Sequence, residues 1–571
     1  MPSTGNFDLV AEVTVAKLNE LLLAAYQSSK IPHSIDVPAG TIFGTYKLAD
    51  GVVQISSTGL ALVMAPPTGV TITLPAQIGV QLANPPVPSL TTFNFAANIL
   101  VTLPLGPLPN PTPQVGLITD GLPRANVTVQ LTGNPVPAVT PQLILDYVNQ
   151  EYQNGVIPST ISQPGVSFGG FTGDAYLEVF DSQSDPTMAI IVATVAGGVE
   201  VDIPVHLRIS NLSPAGASPM GVGATLPITV PLVTAADSIT AKFSAATVGN
   251  VKNYAPWPGS EGANYAIDKA AAAGFGINLD TLLQTQLTAY ATQFAQAIPD
   301  QTFFVPTEAD IETFIGDQVY QSLLNTGNIA VWTPNPPAGS PVTVQNVTPR
   351  ALADAAAIGI NAEAGSDPTA WVNFIPAGND FAIAVNGPIV IQSINQAVQN
   401  KFGGLPTTLH NINGHDVELK SVNPSLQEGS IHMSGDVTVI HAILGSINVD
   451  ASYSADVGLT WQNVSQGGQT GQMLQPVTLD SSVGLSALAW IISLILGFIS
   501  LGIIGGVIAA VVLAVVQNLA SNIGGIVIKD DVTQQVIGIG AWPQTLDQIG
   551  TVQASFANPV GIHTDSVVMS G

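Results

Sequence analysis

INVDASYSADVGLTW, residues 447–461, alternates without error. Ile447, Val449, Ala451, Tyr453, Ala455, Val457, Leu459 and Trp461 fall on one face, and Asn448, Asp450, Ser452, Ser454, Asp456, Gly458 and Thr460 on the other. A period of two over that length predicts a β-strand with one apolar face. Its 15 residues at about 3.3 Å each span roughly 50 Å, far beyond the usual strand. A strand that long needs an equally long apolar partner.

The chain carries one downstream. No charged residue occurs from Ser481 to Ile528, and that stretch contains GLSALAWIISLILGFISLGIIGGVIAAVVLAVVQNLA. As a membrane hairpin, Leu485–Leu501 supplies 17 residues, about 25 Å, short of a roughly 30 Å hydrocarbon core. Lys529 is the one basic residue close by, whereas membrane orientation calls for basic flanks. As a single helix inside a curved sheet, residues 485–520 would reach about 54 Å and match the long strand. The expectation is therefore a buried helix, kinked at Gly505-Gly506, with membrane contact through 485–516 as the alternative. Trp490 and Phe498 are then packing residues.

Composition narrows the classes. Of 571 residues only 12 are Lys or Arg against 38 Asp or Glu, a formal net charge of −26. That balance excludes phosphate-driven nucleic-acid binding and docking on anionic membranes through a basic patch. Charged residues make up 9% and apolar ones 46%, so the chain has material for more than one core and is not a disordered type. There is no cysteine, which removes disulfides, thiolate zinc sites and cysteine nucleophiles together. Residues 1–30, MPSTGNFDLVAEVTVAKLNELLLAAYQSSK, lack the basic start and apolar run of a secretory signal. The expected location is cytoplasmic, or outside the cell by a non-classical route.

Along the chain, Val15, Leu18, Leu22 and Tyr26 recur at helical spacing and predict a first helix over about Val13–Ser29. From Ile35 to about Val233 short alternating runs dominate, such as Val70, Ile72 and Leu74, then Phe93 and Phe95. Pro75 and Pro104 inside these runs predict edges or bulges. Residues 262–298 read as helix closed by Pro299, and a second helix opens at Thr307 with Asp310 in capping-box position. The acidic trio Glu308, Asp310 and Glu312 is read as complementing the helix dipole rather than as a cation site. WTPNPPAGSP, from Trp332 to Pro341, reads as a linker, and a second β-rich region opens near Trp371. The expected domains are 1–250, a helix with a β-rich unit; 251–345, a helical connecting region and linker; and 346–571, a second unit holding the apolar helix.

A repeat gives these units a common design. FDLVAEVTVAKLNELLLAAYQSSKIP (7–32) and FAIAVNGPIVIQSINQAVQNKFGGLP (381–406) both run from Phe to Pro over 26 residues. In their helices Leu18-Asn19, Leu22 and Tyr26 align with Ile394-Asn395, Val398 and Phe402. The fold class expected is α+β, with two tandem units, each a long helix wrapped by a highly curved antiparallel β-sheet. In this the chain resembles the tubular lipid-binding (TULIP) superfamily, and within it the bacterial branch that includes accessory proteins encoded beside clostridial neurotoxins. The residues that carry the resemblance are FAIAVNGPIVIQSINQAVQNKFGG, HDVELKSVNPSLQEGSIHMSGDVTV and SINVDASYSADVGLTW. It implies non-enzymatic binding of a lipid or fatty acid, or a toxin-accessory role through a protein partner or self-association.

Catalytic signatures are missing. There is no H-E-x-x-H, G-x-S-x-G or P-loop, and Gly221-Val222-Gly223 is a turn rather than a dinucleotide fingerprint. His410, His415, His432 and His441 crowd one region, but nothing in their spacing fixes a metal site. No cofactor, metal or enzymatic activity is expected. The residues expected to wall an apolar groove are Leu18, Leu22 and Tyr26, with Ile394, Val398 and Phe402 on the second helix and Ile447, Val449, Tyr453 and Trp461 on the long strand. The other outcome for the apolar run is insertion into a membrane as a pore.

Overall fold

The computed structural model describes residues 4–27, 29, 31–108, 113–133, 139–168, 170–180, 188–213, 219–332, 344–362, 366–412, 415–443, 447–466, 469–483, 527–528, 535–538, 540–542, 552–554 and 556–571. The apolar run 485–516, the helix expected over 485–520 and the linker beyond Trp332 lie outside these described residues.

The protein is β-rich, with antiparallel sheets curled into half-barrels and a few helices. One nine-stranded sheet is built from residues 34–131 and takes Ile329–Trp332 as its last strand; another spans 160–304. An eight-stranded sheet holds strands between 407 and 538. A six-stranded sheet then draws on distant parts of the chain, in the order Val347–Ala351, Ala355–Ala362, Phe7–Thr14, Phe381–Asn386, Ser566–Ser570 and Gly561–Ile562. Phe7–Thr14 lies inside it, with Thr14 opposite Ala355 on one side and Val13 opposite Phe381 on the other. Such strands are covered on both faces, so they read as continuous apolar runs: all five residues of Ser566–Ser570 are buried.

The helices among the described residues are α1 (Val15–Gln27), α2 (Pro141–Gln153), α3 (Ser260–Gly274), α4 (Leu279–Ala297), α5 (Glu308–Thr326) and α6 (Gly387–Phe402). The Thr307–Asp310 capping box forms as expected from sequence. The side chain of Asn278 accepts from the Thr281 N–H and starts α4 anew, so the helical middle is two pieces. Tyr265, Leu283, Leu287, Tyr290, Phe294 and Ile311 from α3–α5 join Val201, Val205, Leu226 and Ile228 of the second nine-stranded sheet in one apolar cluster.

Two sequence expectations need correction here. The region 35–233 is not β throughout, because α2 interrupts it. Pro141 occupies its first turn, where a missing N–H costs nothing, and Ile144, Tyr147, Val148 and Glu151 form its buried face. Pro75 sits neither at an edge nor at a bulge. The Gly69–Leu82 strand pairs with Ala61–Ala65 only up to Thr73, and with Tyr46–Ile55 only from Ala76. Pro75 falls in the changeover, where no neighbour asks for its absent N–H.

The two strand–helix repeats are real neighbours, but their alignment shifts. Strand Phe7–Thr14 runs directly into α1, and Phe381–Asn386 directly into α6. Counted from the strand ends, Leu18, Leu22 and Tyr26 correspond to Val390, Ile394 and Val398, one helical turn before the match made on sequence. A four-residue slip keeps the same helix face, so periodicity alone does not detect it. The helices have 13 and 16 residues, about 20 and 24 Å.

Candidate functional site

The second unit presents an apolar face of unusual extent. Strands Ser430–Ile443 and Ile447–Gln466 pair in register, with Ile431 opposite Val457, Gly435 opposite Tyr453 and Val439 opposite Val449. The strand read as 15 residues from sequence extends to 20, because its last residues pair with Gln469–Val483 although their own pattern is polar. Ile431, Met433, Val437, Val439, Tyr453, Val457, Leu459 and Trp461 are buried on one side and share a cluster with Val390, Ile394 and Val398 of α6. The opposite face is polar: Ser452 is exposed, and His432 Nδ1 lies 2.7 Å from Asp456 Oδ1 across the strand pair.

The residues expected to wall a groove are only partly brought together. Ile394, Val398, Tyr453 and Trp461 lie in this cluster, with Phe402 and Leu18 half-buried against it. Leu18 also touches the large cluster of the nine-stranded sheets. Leu22 is buried at 5% exposure. Tyr26 lies elsewhere: its hydroxyl donates to the Ile55 carbonyl at 2.8 Å and its ring stacks on His33 at 4.3 Å. The backbone of Ile447 pairs with Ile443 and that of Val449 with Val439.

Around Tyr453 the geometry is tight. Its hydroxyl donates to the Ser421 carbonyl at 3.0 Å. Burial, with the Asp436 carboxylate adding to it, holds that hydroxyl well above the ordinary tyrosine range, so it stays a neutral donor. A side chain at Gly435 would strike both the Ser421 carbonyl and the Tyr453 hydroxyl. Glycine here lets the ring lie over the backbone of the neighbouring strand.

Sequence reasoning missed the residues that hold Trp461. Its ring stacks on Phe556 with centroids 4.5 Å apart and planes at 13°, and Phe556 meets Phe381 edge-on at 5.3 Å. Asn558 clamps the Trp461 backbone, its Oδ1 accepting from the N–H and its Nδ2 donating to the carbonyl, each at 2.7 Å. Phe556 and Asn558 stand in ASFANP, a short run with no period, so only the aromatic itself gave a signal.

α1 is docked differently. Asn19 Oδ1 accepts from the Leu62 N–H at 2.6 Å, and its Nδ2 donates to the Leu62 carbonyl at 2.9 Å. One amide thus completes the edge of strand Ala61–Ala65 as a further strand would. Lys17 pairs with Glu20 at 3.0 Å and with Asp380 at 2.9 Å. Burial alone would lower its ammonium, but the two carboxylates outweigh burial and hold it above its usual value.

Beside these contacts lies a buried acid. Glu12 is fully buried in the six-stranded sheet, opposite Ala382. Its Oε2 accepts from the Phe374 N–H at 2.9 Å, while Oε1 has no partner among the described residues. Burial pushes its carboxyl up to about 7; the Phe374 hydrogen bond pulls it down and the Asp354 charge pushes it further up.

Two open clefts lie away from the apolar face. One of about 660 Å³ is bordered by Asp36, Asp50, Gln81, Thr92 and Asn94; the other, about 370 Å³, by Lys420, Asp436 and Asp450. Among the described residues no group of three or more His, Asp or Glu side chains is placed to hold a metal. Nor is any described helix long and apolar enough to cross a membrane.

No protein-family model matches the chain, and no curated protein matches it. Solved structures do. The chain is similar to lipopolysaccharide binding protein at 10% identity and a TM-score of 0.23, over 99% of this chain and 98% of that one. It is similar to P47 from Clostridium botulinum A2 at 9% identity and a TM-score of 0.17, over 63% of this chain and 98% of that one. P47 of Clostridium botulinum E1 stands at 9% identity and 0.17, over 63% and 99%.

Proposed function

We propose that this chain is a non-enzymatic binder of a lipid or another hydrophobic ligand, held between α6 and the inner face of the eight-stranded sheet. The observation that carries this is a mismatch of lengths. The apolar face of the long strand runs over the 15 residues Ile447–Trp461, roughly 50 Å if fully extended, whereas α6 has 16 residues, about 24 Å. α6 alone does not span that face, and a ligand held there would take the place of some of the other apolar side chains now packed in the cluster. An alkyl chain suits the apolar wall, each buried methylene contributing about 0.8 kcal/mol before ordering costs are subtracted.

Leu18, Leu22, Ile394, Val398, Phe402, Ile447, Val449, Tyr453 and Trp461 are the proposed wall. Tyr26, tied to the Ile55 carbonyl, serves instead to fix the end of α1. Native mass spectrometry of the purified chain, with its organic extract analysed for lipid, tests the binding. Lipid at near-integer stoichiometry is expected. A chain that arrives empty and takes up neither added fatty acid nor phospholipid would overturn it.

A second reading, assembly through protein contact, draws on α3. Ile267 is 58% exposed and Phe275, at the helix end, 73%. Each is an exposed large apolar side chain that a protein partner or a second copy would cover. Sedimentation of wild type against Phe275→Ser separates this from lipid binding, since only an assembly would dissociate.

A further inference from the structure

We infer that residues 372–378 form a strap that lifts from the six-stranded sheet when Glu12 loses its proton, baring the small apolar side chains beneath it. The strap is tied at both ends. At one, Trp371 is buried, its indole N–H donates to the Thr4 carbonyl at 3.2 Å, and its ring meets Phe7 edge-on at 4.8 Å. At the other, Asn379 Nδ2 donates to Ser570 Oγ at 2.6 Å. Residues 372–378 themselves are neither helix nor strand, and Val372 is 63% exposed. Phe374 and Ile375 lie half-buried over two small clusters, one holding Val10, Ala355 and Ala357, the other Ala382, Ala384 and Val568. Glu12 stands between them, opposite Ala357 on one side and Ala382 on the other. Among the described residues, the hydrogen bond that holds the strap to the sheet between its anchors is the Phe374 N–H on Glu12 Oε2.

The charges around Glu12 do not compensate an ionised carboxylate. Asp354, in the connection between Val347–Ala351 and Ala355–Ala362, repels it. Lys17, at the start of α1, is taken by Glu20 and Asp380. Arg350 shares the cross-strand row through Ala357, but its guanidinium donates to the Pro368 carbonyl. Among the described residues none of these cations pairs with Glu12. Ionisation strengthens the Phe374 hydrogen bond, yet burial outweighs it and holds the carboxyl at about 7. Hydration is then what stabilises the anion. Its own strand is laddered to a neighbour on each side, so the route for water that breaks fewest hydrogen bonds runs under the strap. Below about pH 7 the acid is neutral and the strap stays down; above it, opening relieves the buried charge.

The test is hydrogen–deuterium exchange of the full chain at pH 6 and pH 8, corrected for intrinsic exchange rates, in wild type and Glu12→Gln. With the carboxyl at about 7 when covered and at the reference 4.5 when hydrated, opening of residues 372–378 in wild type should rise about tenfold between these pH values. Strand Ala355–Ala362 should stay protected throughout, and Glu12→Gln should show no rise. An equal rise in Glu12→Gln would overturn Glu12 as the trigger. Exchange of Ala355–Ala362 in step with 372–378 would overturn the strap, because the sheet would then be opening as one body. Should the variant fail to fold, the wild-type profile decides by its shape: opening should climb from pH 5 and level off above about pH 7. A flat profile would overturn the proposal.

Discussion

α1 and α6 follow adjacent strands of the same sheet, yet the two helices are held by different forces. α6 buries Val390, Ile394 and Val398 in an apolar cluster. α1 buries Leu22 and half-buries Leu18, and it is fixed besides by Asn19 on the Leu62 peptide, Lys17 on Asp380 and Tyr26 on the Ile55 carbonyl. Hydrogen bonds are directional and fix one register; apolar contact is not, and tolerates sliding. Among the described residues, the same strand–helix design therefore yields one helix anchored by polar contacts and one held by apolar ones. On the proposed function, the first unit would be the mount and the second the binding element.

The largest expected effect falls on α6. Ile394→Ala should cost about 3 kcal/mol, since a fully buried side chain leaves a cavity behind. Leu22→Ala, its counterpart on α1, should cost visibly less in the same urea titration, because hydrogen bonds still hold that helix. Equal losses would break the contrast.

Next comes Glu12, on the strand that joins the two units. Its carboxyl titrates near 7 when folded against 4.5 as the reference value, so the native state binds the proton more tightly than the unfolded chain. The stabilisation is complete below about pH 4.5 and is lost as pH rises toward 7. Glu12→Gln should flatten that fall and leave the protein about 2–3 kcal/mol more stable than wild type at pH 8. Thermal melts from pH 4 to pH 8 would show it, and parallel curves would refute it.

The smallest effect sharpens the contrast. Asn19→Ala should cost about 1–2 kcal/mol and speed amide exchange at Leu62. Asn395→Ala, the residue that the sequence alignment matched to Asn19 but which is exposed on α6, should stay within about 0.5 kcal/mol of wild type.

Local patterns were legible in the sequence. The alternation from Ile447 to Trp461 gave the long strand, and Thr307 with Asp310 gave the start of α5. Both signals lie within a few residues of one another. What joined distant segments was not legible: nothing in FDLVAEVT specifies that Thr14 meets Ala355 on one side and Val13 meets Phe381 on the other. α2 was hidden because it is a short helix set among strands. For the candidate site, the apolar wall could be read from period two, but not the clamp at Asn558, which depends on a contact made from 97 residues away.

The six-stranded sheet also sets a timetable for synthesis. Phe7–Thr14 leaves the ribosome early, but its first sheet neighbour lies about 340 residues downstream. At about 5–20 residues per second the strand waits for tens of seconds with both hydrogen-bonding edges open. The contacts of its continuation form much sooner: Tyr26 reaches the Ile55 carbonyl across 29 residues and Asn19 reaches Leu62 across 43. α1 can thus dock on the early strands and park Phe7–Thr14 beside them until its distant neighbours are made.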